Sequence, residues 1–172
     1  GGSGNALKIL KPASPDTWGG TYFTVARIPF TADRKVLTAR VYATRANAVV
    51  TLKVEVPGGS AVEVQGSATG AANTWSTVTW NLATVNPALA YTLIAITPDV
   101  SRVTDGQSYW IDNLTLAPAA TTPPPSNGDG TLLLSFDESM PAFSDMGSYG
   151  GALPSVEPGP AGGSGNALKI LK

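Results

Sequence analysis

Apolar and polar residues alternate in short runs along most of this chain. Residues 36–43 place Leu37, Ala39, Val41 and Ala43 on one face and Val36, Thr38, Arg40 and Tyr42 on the other, the period of two that a half-buried strand imposes. Residues 49–56 repeat the pattern, with Val50, Leu52, Val54 and Val56 inward and Thr51, Lys53 and Glu55 outward. Pro57-Gly58-Gly59 stops that run, and Val62 and Val64 begin a returning one, which predicts a β-hairpin. Val78, Trp80 and Leu82 share a face in 75–82, whereas 91–97 is apolar enough to be buried on both faces. Runs at 6–11, 21–28, 109–116 and 131–136 bring the total to about nine strands, and no stretch keeps a helical period. The class this predicts is all-β, a sandwich of antiparallel strands.

Two stretches break the alternation. Residues 119–130 contain three consecutive prolines, which lack backbone donors, among Ser, Asn and Gly residues without apolar content. They read as a linker, and about 12 residues at about 3.1 Å each reach on the order of 35 Å, enough to cross a small domain. Residues 139–161 are also rich in Gly and Pro but carry Met140, Phe143, Met146, Tyr149 and Leu153, and so read as an ordered loop. The chain also repeats itself: residues 1–11, GGSGNALKILK, recur without change as 162–172. Identity over that length points to a unit of a longer tandem polypeptide, whose repeats mostly contact their neighbours.

Composition narrows the chemistry. With 172 residues, 42% hydrophobic and 13% charged, the chain holds one substantial core. A formal net charge of −1 gives no electrostatic footprint for nucleic acid or for an anionic membrane surface. No segment approaches the roughly 20 apolar residues of a membrane-spanning helix. The absence of Cys and His removes disulfides, thiolate nucleophiles, histidine bases and the usual zinc sites. Asp99, Asp105, Asp112, Asp137, Glu138 and Asp145 form no recognisable glycosidase pair. The glycine clusters at 19–20, 58–59 and 150–151 lack a following helix and basic residue, so they are turns and not phosphate loops. An enzyme is not expected.

Four segments carry a family resemblance: GNALKILK at 4–11 and again at 165–172, Trp18-Gly19-Gly20, Asn73-Thr74-Trp75-Ser76-Thr77-Val78, and Tyr109-Trp110-Ile111-Asp112-Asn113-Leu114-Thr115-Leu116. Together they resemble the jelly-roll carbohydrate-binding modules attached to bacterial polysaccharide-degrading enzymes. Modules of that family open on a strand ending in an acidic residue, here Ser135-Phe136-Asp137-Glu138, and close on an aromatic-Ile-Asp strand, here Trp110-Ile111-Asp112. The resemblance implies a jelly-roll β-sandwich cut out of register. Residues 1–118 are similar to the C-terminal two-thirds of a module, 119–130 to a linker, and 131–172 to the N-terminal third of the next module, or of the same one if it is circularly permuted.

The resemblance also implies a non-catalytic role and a structural Ca2+ held by Asp112 with Asp137 or Glu138, since oxygen ligands suit a hard cation. Sugar recognition in such modules stacks aromatic faces on pyranose rings beside polar groups. The glycan candidates are Trp18 with Tyr22, and Tyr42 with Arg40, Lys53 and Glu55. Trp75, Trp80 and Trp110 are expected in the core, and Tyr42 is open between ligand platform and cross-strand packing.

If each sandwich holds one ALKILK strand, one copy in the chain is surplus. The assembly residues are then Ala6, Leu7, Ile9 and Leu10 and their copies Ala167, Leu168, Ile170 and Leu171. Covalent tandem modules, head-to-tail strand addition between chains and a self-completing permutant all satisfy this count. The expectation is a structural repeat of an extracellular bacterial filament, sheath or cell-surface adhesin, with neighbouring repeats and polysaccharide as partners. The alternative is a carbohydrate-binding module of a secreted polysaccharide-degrading enzyme.

Overall fold

The alternating runs form strands throughout the described part of the chain. A computed structural model describes residues 4–13, 16–100, 102, 106–117, 131–134, 136 and 143–161. Its strands are β1 (Asn5–Lys11), β2 (Gly20–Val25), β3 (Val36–Ala43), β4 (Val50–Glu55), β5 (Ala61–Gln65), β6 (Thr74–Asn81), β7 (Leu93–Pro98), β8 (Gln107–Ala117), β9 (Thr131–Leu134), β10 (Phe143–Tyr149) and β11 (Leu153–Pro158). No helix occurs among the described residues. One sheet runs β11-β1-β8-β3-β6, with β9 also on β8, and the other runs β10-β2-β7-β4-β5. All these pairings are antiparallel. Apart from the β4–β5 hairpin, successive strands from β1 to β8 change sheets, which wraps the chain around one core as a jelly-roll sandwich.

The inward positions meet between the sheets. Leu7, Ile9, Phe23, Leu37, Val41, Leu52, Val54, Val78, Trp80, Ile94, Ile96, Ile111, Leu114, Leu116 and Phe136 belong to one buried cluster. Each fully buried side chain of this size contributes roughly 1.5–3 kcal/mol relative to exposure. Trp80 is in the core as its sequence neighbours predict, with Nε1 donating to the Val50 carbonyl at 2.8 Å. Trp75 and Trp110 are not. Register puts both directly opposite Tyr42, so they share its outer face and are only half-buried.

The region expected as an ordered loop at 139–161 instead contains β10 and β11. Their alternation is masked in the sequence by a bulge between Ser144 and Gly147, by Asp145 at φ 52°, and by two prolines in β11, which edge strands tolerate. β10 extends the sheet at β2, and β11 extends the other at β1. The strands on either side of the proline-rich stretch therefore complete the same two sheets within this chain. The stretch itself lies outside the described residues.

β1 is held on both sides, opposite β8 from Leu7 to Lys11 and opposite β11 from Asn5 to Leu10. Its last residue, Lys11, is buried, with Nζ donating to the carbonyls of Pro98 (3.0 Å) and Thr17 (3.2 Å). Burial lowers the Lys11 ammonium below its ordinary value, and the charge of Asp99 works against that shift. Asp99 is itself buried and accepts from Arg45 Nη1 at 2.6 Å, the Val49 amide at 3.0 Å and the Tyr109 hydroxyl at 2.6 Å. A carboxylate with three such donors ties the 44–49 loop, the end of β7 and the start of β8 into one point. On the outer side Lys8 lies 3.1 Å from Glu157 and 5.2 Å above the Trp110 ring, and Trp110 Nε1 donates to Glu157 Oε1 at 3.2 Å.

These contacts can be tested one by one. Asp99→Ala strands three donors, one of them a guanidinium, and is expected to cost about 3 kcal/mol or more in urea unfolding; a loss under about 1 kcal/mol would show that Asp99 is not an anchor. At Glu157, partial burial favours the protonated form. That effect is outweighed by Lys8, Trp110 and Ser155, so its carboxyl titrates below its usual 4.5. A depressed carboxyl stabilises above its unfolded value and ceases to do so as pH falls through the folded one. Exchange protection of the Ser155 and Glu157 amides, which face β1, should therefore drop selectively below about pH 4.5, and uniform loss across β4 and β11 would contradict this.

Candidate functional site

The outer face of the β10-β2-β7-β4-β5 sheet carries an open groove of about 420 Å³. Strand pleating aims alternate residues there, and register aligns them in rows. One row reads Gly147, Tyr22, Ala95, Lys53 and Glu63 across all five strands. A neighbouring row pairs Tyr149 with Gly20, and Thr97 with Thr51. The floor is made of small residues, Ala95, Thr97 and Thr51. An aromatic wall of Trp18, Tyr22 and Tyr149 stands at one side and a charged wall of Lys53, Glu55 and Glu63 at the other.

The aromatic wall is built by a reciprocal pairing of glycine and tyrosine. Gly20-Thr21-Tyr22 in β2 and Gly147-Ser148-Tyr149 in β10 run antiparallel, so each tyrosine faces the other strand's glycine. A Cβ at Gly147 would lie 2.5 Å from Tyr22 Cζ, and one at Gly20 would lie 2.7 Å from the Tyr149 hydroxyl. Only glycine leaves room for both rings to lie down on the sheet. Thr21 between them is buried and donates to the Gly147 carbonyl at 2.7 Å, fixing the register. Tyr149 shares a 2.8 Å hydrogen bond with the Thr97 hydroxyl. Burial raises its phenol above the ordinary value, only partly offset by that bond.

Trp18 extends the wall from the loop before β2. The Gly19 amide donates to the Asp16 carbonyl at 2.9 Å, and the Asp16 amide donates to the Gly150 carbonyl at 3.2 Å. This turn sets the indole parallel to Tyr149, with centroids 6.0 Å apart and planes 6° from parallel. Trp18 remains 53% exposed, an apolar plate open to solvent. On the opposite wall Lys53 is ion-paired with Glu55 on the same strand. The Glu55 hydrogen bond raises the ammonium above its ordinary value, against partial burial, with Glu63 and Tyr149 adding to the rise. The wall thus offers a fixed cation with carboxylate acceptors beside it. Thr51 Oγ1 on the floor is buried without a hydrogen-bond partner.

Four of the six glycan candidates therefore meet: Trp18, Tyr22, Lys53 and Glu55. Arg40 and Tyr42 lie on β3, in the other sheet. There Tyr42 packs edge-on between Trp75 (5.7 Å, 62°) and Trp110 (5.4 Å, 89°), and Trp75 Nε1 donates to the Pro160 carbonyl at 3.2 Å. This is cross-strand packing. Arg40 stands opposite Thr77 and Asp112 in register. Sequence reasoning missed Tyr149, Glu63, Thr51 and Thr97. The available signal was the repeated Gly-hydroxyl-Tyr triplet at 20–22 and 147–149.

Of the metal candidates, Asp112 is buried where β1 and β9 succeed each other along β8. Its Oδ1 accepts from the Asn113 amide at 2.7 Å and its Oδ2 from the Asn113 side chain at 3.3 Å. Asp137 and Glu138 lie outside the described residues, and among the described residues no three acidic or metal-ligating side chains gather. Of the assembly residues, Ala6, Leu7 and Ile9 are buried in β1 and Leu10 is half-buried. Ala167, Leu168, Ile170 and Leu171 lie outside the described residues.

No family model and no curated protein matches this sequence. Among solved structures, a family 30 carbohydrate-binding module is similar at a TM-score of 0.45 and 10% identity, over 72% of each chain.

The wall depends on Gly147. Gly147→Val is expected to lift Tyr22 off the sheet and to cost about 1–3 kcal/mol. In NMR, the Gly147 Hα protons should be displaced upfield by the Tyr22 ring and return on Tyr22→Ala; shifts indifferent to Tyr22 would contradict the ring placement.

Proposed function

We propose that this chain is a non-catalytic, glycan-binding β-sandwich of an extracellular bacterial protein. The observation that carries this reading is the aromatic wall of Trp18, Tyr149 and Tyr22 beside the Lys53, Glu55 and Glu63 wall over a floor of small residues. A pyranose ring has an apolar face of axial C–H groups and an equatorial belt of hydroxyls. Flat aromatic rings take the first, and fixed ions and hydroxyls take the second. The groove is open along the sheet, which suits a segment of a longer chain better than an enclosed monosaccharide. Among the described residues that line it, none is arranged as a nucleophile with a base, and the Lys53 charge is neutralised by its neighbours.

Retention on insoluble polysaccharide tests the reading. Trp18→Ala and Tyr149→Ala are each expected to weaken binding roughly fivefold or more, about 1 kcal/mol per stacking ring, while Tyr42→Ala leaves it intact. Loss of retention with Tyr42→Ala but not with Trp18→Ala would move the site to the other sheet and overturn the assignment.

A second reading rests on a separate observation, the identical segments 1–11 and 162–172. It makes the chain a repeat of a filament, sheath or adhesin whose units join head to tail through the ALKILK strand. Fibres in negative stain, or native material migrating far above 17.6 kDa on a denaturing gel, support it. A monodisperse 17.6 kDa monomer refutes it without bearing on glycan retention.

A further inference from the structure

β1 occupies a slot with two defined walls, β8 on one side and β11 on the other. The slot selects for its occupant: Leu7 and Ile9 are fully buried, Lys8 meets Glu157, and Lys11 reaches the Pro98 carbonyl. Residues 165–172 carry the same side chains in the same order as 4–11. Any contact that the slot makes with the first copy is chemically available to the second.

The connection to the second copy has the length this requires. β11 and β1 pair with Asn5 opposite Pro158, and the Gly159 amide donates to the Gly4 carbonyl at 2.9 Å. The counterparts of Gly4 and Asn5 are Gly165 and Asn166. If they took those places, Gly159 would face Gly165, leaving Pro160, Ala161, Gly162, Gly163 and Ser164 as the loop. Five residues with two glycines are an ordinary hairpin connection between antiparallel strands. The register that β1 adopts is therefore the register in which the chain after β11 would fold back on it. A tether this short gives the second copy a high effective concentration at the slot, which a separate molecule does not share.

We infer that the β8–β11 slot accepts either copy, so that residues 165–172 of the same chain replace β1 by closing a hairpin on β11 and release residues 4–11. The exchange preserves the core and the sheet while freeing one adhesive ALKILK strand. Release of β1 also frees the 12–19 segment, which carries Trp18, from its anchored end, so slot occupancy reaches the groove.

Because the chain contains no cysteine, engineered pairs report occupancy directly. Lys8 stands opposite Ser155, and Lys169 is its counterpart. Directly opposed antiparallel positions lie about 4.5–5.5 Å apart at Cα, within disulfide range. Under mild oxidation of the full chain, Ser155→Cys with Lys169→Cys is expected to give an intramolecular disulfide, as is Ser155→Cys with Lys8→Cys. A Lys169→Cys variant that stays reduced overturns the inference, and so does one that crosslinks as dimers, which would make a second molecule the occupant.

Thermal unfolding supplies an independent readout. Ile9→Asp alone should be rescued by the second copy and lose only a few degrees, whereas Ile9→Asp with Ile170→Asp should fall by roughly 10 °C or more. Equal losses in the single and double variants would show that 165–172 cannot fill the slot.

Discussion

An alternating strand must fill the slot between β8 and β11, and most of the molecule hangs on that requirement. Among the described strands β11 pairs with β1 alone, so without an occupant it has no sheet to belong to. The occupant also delivers Leu7 and Ile9 to the core, and its terminal lysine to the Pro98 and Thr17 carbonyls. A buried ammonium costs desolvation, and it is tolerated here because carbonyls accept its hydrogen bonds while the Asp99 charge offsets part of that cost. From β11 the chain reads back through the Gly150-Gly151 turn to β10, and β10 carries Tyr149. The strand in the slot and the aromatic wall are thus joined through a few residues.

The two outer faces of the sandwich show how similar aromatic content leads to different surfaces. On the β1-β8-β3-β6 side, Lys8, Trp110, Tyr42 and Trp75 stand side by side in one row, and their rings satisfy one another edge to face and under the ammonium. Large residues in adjacent positions fill that row. On the β2-β7-β4 side, aromatic residues are separated from the charged ones by Ala95 and Thr97, and the rings lie down over Gly20 and Gly147. Small residues in the middle of a row make the depression, and glycine across the strand lays the tyrosines flat. The site is therefore a matter of spacing across strands, which linear order does not display.

A chain without histidine or cysteine has no imidazole base and no thiolate to offer. Several of its charges are also occupied: Arg45 with Asp99, Lys8 with Glu157, Lys53 with Glu55. The proposed function accordingly rests on stacking and hydroxyl recognition, and not on proton transfer. Asp99, one of six acids with no catalytic motif around it, is a structural anchor receiving three donors.

The class of fold, most of the strands, the inward residues of β3, β4 and β6, and the duplication of the ALKILK segment are all legible in the linear order of residues. They follow from local rules, since pleating forces a period of two and Pro-Gly-Gly or Gly-Gly forces reversals. That Trp18, Tyr22, Lys53 and Glu55 share a groove while Arg40 and Tyr42 do not is a property of the assembled sheets, because sheet membership is set by which distant strands pair. The same holds for 143–149 and 153–158 as strands, where a bulge, a left-handed Asp145 and edge prolines hide the alternation. Trp75, Trp80 and Trp110 look alike among their sequence neighbours, yet one is core and two are surface. The pleat orients a side chain relative to its own strand, but the second sheet decides which of those two directions is the inside.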